Sequence, residues 1–297
     1  MTRITQQSSL SAMRTDLSQV SARLADIQRQ VASGRTMERA SDAPSAALES
    51  LRYRRSLRTY GQYERNLSDA KNWLGAADTG LEAIDNRLSR VQELTIQADN
   101  GSLSPAARTA ISTELRAVAD ELVGLMNSDH LGRPLFGGTA GGDQAYDASG
   151  TYLGDAGVVE RTISSGSRFQ VNVTGPDAFG TDNPGDPMNG NIVEMVRRIA
   201  DDVDAGVEVQ DALDSISTSQ TRLHSAQATL GARLASIEKL EARNLDTTTD
   251  LQASLSRTED VDLTEAILEL KSQEAAYTAA LNISGRLLSQ SLLDFIR

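Results

Sequence analysis

Residues 10–31, LSAMRTDLSQVSARLADIQRQV, contain the pattern from which the architecture follows. Apolar side chains recur there at alternating spacings of three and four residues: Leu10, Met13, Leu17, Val20, Leu24, Ile27 and Val31. This heptad pattern places one apolar stripe on one face of an α-helix. Because a single helix cannot bury such a stripe alone, the sequence predicts a long N-terminal helix that packs against a partner helix.

Downstream residues predict further long helices. Ser41-Asp42-Ala43-Pro44 ends the first helix and starts another near Ser45, since a cap residue and a proline mark a helix start. The same three-and-four spacing returns in Leu74, Ala77, Leu81, Ile84, Leu88 and Val91. Ser104-Pro105 then caps a return helix, which predicts an αα-hairpin.

The composition changes at Gly132. Glycines are frequent in residues 132–190, which makes a long helix implausible there. Two alternating runs, residues 158–163 and 168–173, flank the turn residues Ser164-Ser165-Gly166-Ser167. This arrangement predicts a β-hairpin within a small β unit. Helical spacing resumes at Val193, and no proline follows residue 187.

The C-terminal segment carries two apolar stripes. Capping patterns at Ser256 to Glu259 and at Asp262 to Glu265 predict that a helix restarts within residues 256–262. The first stripe comprises Leu263, Ile267, Leu270, Tyr277, Leu281, Leu288 and Phe295. The second comprises Ala276, Ala280, Ile283 and Leu287. Two stripes imply two neighbours, one within the chain and one outside it.

We therefore predict a mainly α protein, α+β overall, with terminal helices pairing as a coiled coil, a long-helix bundle and a small β-rich insert. The predicted assembly interface comprises the N-terminal stripe from Leu10 to Val31 given above. On the C-terminal helix it comprises Leu270, Tyr277, Leu281, Leu288, Leu292 and Phe295.

Charge is distributed unevenly. The formal net charge is −12, yet residues 1–66 hold eleven Arg against six acids, whereas residues 129–215 hold five Arg against fifteen acids. The acidic balance argues against nucleic acid as a partner. The only basic run, Arg52, Arg54, Arg55 and Arg58, is better interpreted as a solvated or subunit-facing side of a helix.

No residue pattern predicts catalysis, a cofactor or a metal. The chain has no cysteine, and neither His130 nor His224 lies beside a nucleophile or at metal-ligand spacing. Residues 137–142 lack the Lys-Ser or Lys-Thr ending of a phosphate loop, so we interpret them as turns. The acids Glu259, Asp260, Asp262 and Glu265 resemble helix-capping residues more than a cation site.

Neither a cleaved signal peptide nor a membrane span is predicted, because polar residues interrupt residues 1–33 and no run approaches about 18 apolar residues. The chain is expected to be cytoplasmic, or exported by a route that needs no cleaved signal.

Motifs at both ends resemble the flagellin superfamily: Thr2-Arg3-Ile4-Thr5, Val31-Ala32-Ser33-Gly34-Arg35, residues 40–47 and the C-terminal helix. Internal motifs are more similar to its hook-associated branch than to flagellin itself. They are residues 135–139, residues 152–155, residues 171–173 with Gly175 and Phe179, and the ending Ser291 to Arg297.

The resemblance implies three domains: residues 1–43 with 259–297 as an axial coiled-coil domain, residues 44–135 with 188–258 as a helical bundle, and residues 136–187 as the outermost insert. It implies a non-enzymatic adaptor between hook and filament, extracellular and exported by the flagellar type III route. The implied partners are the first hook-associated protein, flagellin, other copies in a ring, and an export chaperone at the C-terminal segment.

Three alternative functions predict different features. A flagellin-type filament subunit would lack the motif at residues 135–139 and the junction-type C-terminus. An enzyme or ligand-binding module would need a pocket with convergent polar groups in residues 144–187. A cytoplasmic coiled-coil scaffold would be retained in the cell.

Overall fold

The protein is mainly α-helical, as predicted. The computed structural model describes residues 2–37, 39–99 and 103–295, with the backbone alone for residues 2–10 and 286–295. The helices are α1 (Thr2–Ser33), α2 (Pro44–Ala98), α3 (Pro105–Met126), α4 (Gly175–Phe179), α5 (Ile192–Ala205), α6 (Gln210–Glu259) and α7 (Leu263–Phe295). The strands are β1 (Asp129–His130), β2 (Arg133–Pro134), β3 (Glu160–Ser164) and β4 (Ser167–Gln170).

The chain forms two compact units. Unit 1 comprises residues 1–59 and 247–297, and unit 2 comprises residues 60–246. Two segments from opposite ends of the sequence thus form one folded unit. The finer division into three domains stays a prediction.

Local capping explains where several helices begin and end. Helix α2 begins at Pro44, one residue from the predicted start at Ser45. The predicted cap of α3 is confirmed, since the Ser104 hydroxyl oxygen accepts a hydrogen bond from the Ala107 amide at 3.2 Å. Gly206 ends α5 in the left-handed conformation, with φ of 73°.

Unit 2 is held together by the apolar stripes of its long helices. The side chains of α2 from Leu74 to Val91 that carry the predicted spacing are all buried. Buried residues of α3, α5 and α6 complete this core, and α3 packs against α5. The insert adds an aromatic cluster in which the Phe136 and Phe179 ring centroids lie 4.9 Å apart.

The predicted β-hairpin is present, with shorter strands than expected. Strands β3 and β4 pair antiparallel, with Glu160 opposite Gln170. Gly166 occupies the turn with a φ of 76°, a conformation that glycine adopts without steric cost. The hairpin contacts α2 through a 2.6 Å ion pair between Arg161 Nε and Asp69 Oδ2.

The predicted restart of a helix within residues 256–262 is confirmed at the end of that range, where α7 follows Asp262. Ser256 does not cap a new helix, because α6 runs without interruption to Glu259. The break comes one turn later, where Asp262 Oδ1 accepts hydrogen bonds from the Thr264 and Glu265 amides. Of the two capping patterns in the sequence, only the second begins a helix.

Candidate assembly surface

Helices α1 and α7 of unit 1 pack against each other. The α1 side chains that carry the heptad pattern share one face. Ile27 is buried, and the others whose side chains are described are half-buried: Met13, Leu17, Val20, Leu24 and Val31. The stripe is therefore shielded on one side by α7.

The apolar side chains of α7 differ in how deeply they are buried. Ala266 is buried, and Leu270 and Tyr277 are half-buried. Leu281, which the sequence groups with these residues, is 44% exposed, and Ile267 is 46% exposed. Helix α7 thus retains apolar surface facing solvent.

The remaining predicted interface residues belong to α1 and α7. Leu10, Leu288, Leu292 and Phe295 lie outside the residues whose side chains the structure describes. Their interface role stays a prediction, as does that of the described members.

A backbone tie joins the two chain segments of unit 1. The Thr36 amide donates to the Glu259 carbonyl at 2.8 Å, and the Val261 amide donates to the Gly34 carbonyl at 3.0 Å. Gly34 has a φ of 69°, so the chain leaves α1 through a left-handed residue that glycine accommodates. These bonds hold the end of α1 beside the connection between α6 and α7.

The side chain of Glu259 strengthens this tie. Its carboxylate accepts hydrogen bonds from Arg54 Nε at 2.9 Å and Nη2 at 2.7 Å, and from the Ser50 hydroxyl. Hydrogen bonding from Arg54 holds the pKa of Glu259 below its ordinary value. The capping role predicted for Glu259 is therefore wrong: this acid binds α2 rather than starting a helix.

The glycine-rich segment that superficially suggested a phosphate loop binds the chain's own carboxylate. The Thr139 amide donates to Asp155 Oδ1 at 2.6 Å, and its hydroxyl donates to Asp155 Oδ2 at 2.8 Å. These bonds lower the pKa of Asp155. The segment is thus a turn that closes the insert, as the missing lysine predicts.

A polar recess at the insert is small. It has a volume of about 180 Å³ and is lined by Gln170, Asn172, Val173, Asp177, Ser225, Ala226, Thr229 and Arg233. Ligand pockets usually occupy about 300–1,000 Å³. Arg233 is already engaged there, since its guanidinium donates to the Asn172 carbonyl at 2.5 Å.

Both histidines make contacts within unit 2. The His130 ring packs edge-on against Trp73 at a centroid distance of 5.8 Å, and His224 Nε2 lies 3.2 Å from Asp85 Oδ1. Among the described residues no cluster of three or more His, Cys, Asp or Glu has the arrangement of a metal site. Across the same residues, no helix has the length and apolar character needed to cross a bilayer.

Comparisons with known proteins agree in sequence and in fold. The family described as bacterial flagellin N-terminal helical region matches residues 4–139. Flagellar hook-associated protein 3 of Salmonella typhimurium is 24% identical over 279 residues, which cover 84% of this chain and 86% of that protein. Its Escherichia coli counterpart is 21% identical, covering 88% of this chain and 90% of the relative.

A solved structure of a flagellar hook-associated protein from Vibrio parahaemolyticus has the same fold. It superposes with a TM-score of 0.67 at 20% identity, covering 74% of this chain and all of that one. The chain is thus similar to the bacterial flagellin N-terminal helical region over residues 4–139 and, over most of its length, to flagellar hook-associated protein 3.

Proposed function

We propose that this protein is a structural adaptor subunit of the bacterial flagellum that joins the hook to the flagellin filament. The observation that carries the proposal is the similarity to hook-associated protein 3 over 84% of the chain. A flagellin-type filament subunit is the nearest alternative. The motif at residues 135–139 and the C-terminal ending favour the adaptor.

The surface of unit 1 supports a role in assembly. Leu281 and Ile267 on α7 are nearly half exposed, and Leu268 and Ile283 are 68% and 56% exposed. Burying apolar surface contributes about 25 cal/mol per Å², so covering these side chains favours association with neighbouring subunits. The predicted interface residues would provide the contacts, within an axial coiled-coil domain of residues 1–43 and 259–297.

The proposed partners follow from this position in the flagellum. Subunits form a ring, contacting the first hook-associated protein on one side and flagellin on the other. The contacts along the axis are heterologous, because each copy presents different surfaces to the two neighbours. Export occurs through the flagellar type III route without a cleaved signal, with a chaperone holding the C-terminal segment.

Deleting the protein tests the proposal. A strain without it is examined by electron microscopy while flagellin is assayed in the culture medium. We expect complete hooks without filaments and flagellin lost to the medium, both restored by the intact chain. Filaments that stay attached would contradict the proposal and favour a minor filament subunit or a cytoplasmic scaffold.

A truncation tests the assembly role of unit 1 separately. Removing residues 1–31 deletes the heptad stripe but none of unit 2, whose core lies in residues 60–246. We expect filament attachment to fail while the circular dichroism of unit 2 and its cooperative unfolding persist. Normal incorporation of the truncated chain would exclude α1 as an assembly element.

A further inference from the structure

Helix α2 has an exposed face in unit 1 that combines apolar and basic side chains. Leu48 and Leu51 are 59% and 61% exposed. Arg52, Arg55 and Arg58 are also exposed. Spacings of three and four residues place all five on one side of the helix, and we call this set the basic ridge.

The opposite side of the same helical segment is occupied. Ser50 is buried, and together with Arg54 it contacts Glu259. Leu51 lies at the edge of the recess around Glu259, whereas the three ridge arginines do not line it.

No described residue neutralises the charge of the basic ridge. Whereas Arg54 forms an ion pair with Glu259, the ridge arginines form none within 4.0 Å of a described acid. Like charges one helical turn apart repel each other, and the two leucines beside them expose apolar surface. Both unfavourable features are relieved when an acidic surface with an apolar edge covers the ridge.

Unit 2 carries a surface with the complementary composition. Val207 is 54% exposed, and Glu208, Asp211 and Asp214 are all exposed. We call these four residues the acidic ridge. Its acids recur every three residues, as do the arginines of the basic ridge, and none forms an ion pair with a described residue within 4.0 Å.

The helix dipole does not account for the acidic ridge. A carboxylate in the first turn of a helix is favoured by the dipole, which explains Asp211 near the start of α6 at Gln210. Glu208 precedes the helix, and Asp214 lies beyond its first turn. The three exposed acids and the exposed valine complement the charge and the apolar edge of the basic ridge.

We propose that the basic ridge of one copy binds the acidic ridge of a second copy in the flagellar junction. The inference rests on the proposed function, because it places copies side by side. Three guanidinium groups face three carboxylates, and Leu48 and Leu51 cover Val207. The contact is heterologous, so each copy uses one ridge towards each of two neighbours.

Charge reversal and its compensation test the pairing in cells that lack the native protein. One variant reverses the basic ridge: Arg52→Glu, Arg55→Glu and Arg58→Glu. A second reverses the acidic ridge: Glu208→Lys, Asp211→Lys and Asp214→Lys. We expect each to reduce the number of attached filaments at least tenfold, and the combined variant to restore at least half of them.

A matched control reverses three exposed basic residues of unit 2 that lie outside both ridges. It carries the changes Arg65→Glu, Arg168→Glu and Lys239→Glu. We expect this control to attach filaments normally. Immunoblots of the culture medium measure how much of each variant is secreted.

Cross-linking tests the contact by a method that does not depend on reversing the charge of either ridge. Because the chain has no cysteine, Arg55→Cys and Asp211→Cys introduce the only two thiols. An arginine and a carboxylate in contact hold their Cα atoms too far apart for a disulfide, so a bis-maleimide is used on isolated flagella. We expect cross-linked dimers and larger species, whereas Arg55→Cys with Ser236→Cys gives monomers.

The outcomes separate the inference from the proposed function. Normal attachment with the basic ridge reversed would overturn the inference, while loss of filaments in the deletion strain would still support the adaptor. Failure of the combined variant together with absent cross-links would also overturn it and indicate that the ridge binds a different acidic protein. Attached filaments in the deletion strain would instead contradict the adaptor itself.

Discussion

The carboxylate of Glu259 joins α6 to α2 through two hydrogen bonds from the Arg54 guanidinium, at 2.9 Å and 2.7 Å. We predict that Glu259→Gln lowers the free energy of unfolding of unit 1 by about 1–3 kcal/mol, the usual contribution of hydrogen bonds to a charged group. Hydrogen exchange at the Thr36 and Val261 amides in urea measures the effect, because both amides belong to the same backbone tie.

A surface ion pair in unit 2 provides the control for that substitution. Glu241 lies 3.1 Å from Lys71 and remains a third exposed. Glu241→Gln is expected to change stability by less than about 1 kcal/mol, as is typical of exposed pairs. Equal losses for the two variants would contradict a special role for Glu259.

The hydrogen bonds to the Glu259 carboxylate also predict that the stability of unit 1 depends on pH. The pKa of Glu259 lies below its ordinary value of 4.5 in the folded protein, so the unfolded chain binds the proton first as the pH falls. The stabilisation is therefore complete above about pH 5 and is lost progressively below pH 4.5.

The comparison between the native chain and Glu259→Gln isolates this effect. Asp147 and Asp155 also have lowered pKa values, but they contribute equally to both proteins. We expect the difference in unfolding free energy to be constant from about pH 8 to about pH 6 and to shrink on acidification. A difference that grows on acidification would refute this assignment.

Asn127 anchors the insert to the end of α3. Its Oδ1 accepts hydrogen bonds from the Ala145 and Tyr146 amides at 2.8 Å, and its Nδ2 donates to the Tyr146 carbonyl at 2.9 Å. Asn127→Ala is predicted to destabilise unit 2 by about 2–3 kcal/mol, because three groups lose their partner. Urea unfolding followed by Trp73 fluorescence measures this, with exposed Asn86→Ala as a control near zero.

Replacement by alanine is predicted to have opposite effects on stability at two glycines. Gly138 has a φ of 71°, and a Cβ there would collide with the Asp155 carbonyl, so Gly138→Ala should cost about 2–3 kcal/mol. Gly124 lies in α3 with open space where a Cβ would stand, so Gly124→Ala should stabilise by about 0.5–1 kcal/mol. Thermal unfolding of both variants tests the contrast, and a shift in the same direction for both would contradict it.

Ile267 provides a test of the exposed apolar surface on α7. Since its side chain is 46% exposed, Ile267→Ser should leave the thermal midpoint of the isolated chain within a few degrees of the native value. If neighbours cover this surface, the same change should reduce filament attachment severalfold, as counted by electron microscopy. The control Ser272→Ala, at an exposed polar position of the same helix, should change neither quantity.

Periodicity predicted the elements that depend on local sequence. The stripe from Met13 to Val31 reads directly as a helix face because neighbouring turns bring these side chains together. The α3 cap at Ser104 and the hairpin around Gly166 are equally local. Each of these features is set by residues within a few positions of one another.

Contacts between residues that are far apart along the chain could not be predicted from the sequence. Arg54 and Glu259 are 205 positions apart, and nothing in either neighbourhood indicates the partner. The acid-rich segment at residues 259–265 contains both a partner for α2 and a genuine helix cap, which composition cannot separate. The exposed faces of α7 also follow from which side α1 covers, a property of tertiary packing rather than of periodicity.

The make-up of unit 1 from the two chain ends has a consequence for the order of folding. The bonds that tie Thr36 and Arg54 to Glu259 close loops of 223 and 205 residues. Closing such a loop costs conformational entropy before any contact forms, and it must await the emergence of Glu259 from the ribosome. Unit 2, whose α2 and α3 are adjacent in sequence, can condense earlier. Unit 1 is then the last part of the molecule to form, and every newly made chain passes through a stage in which α1 has no partner.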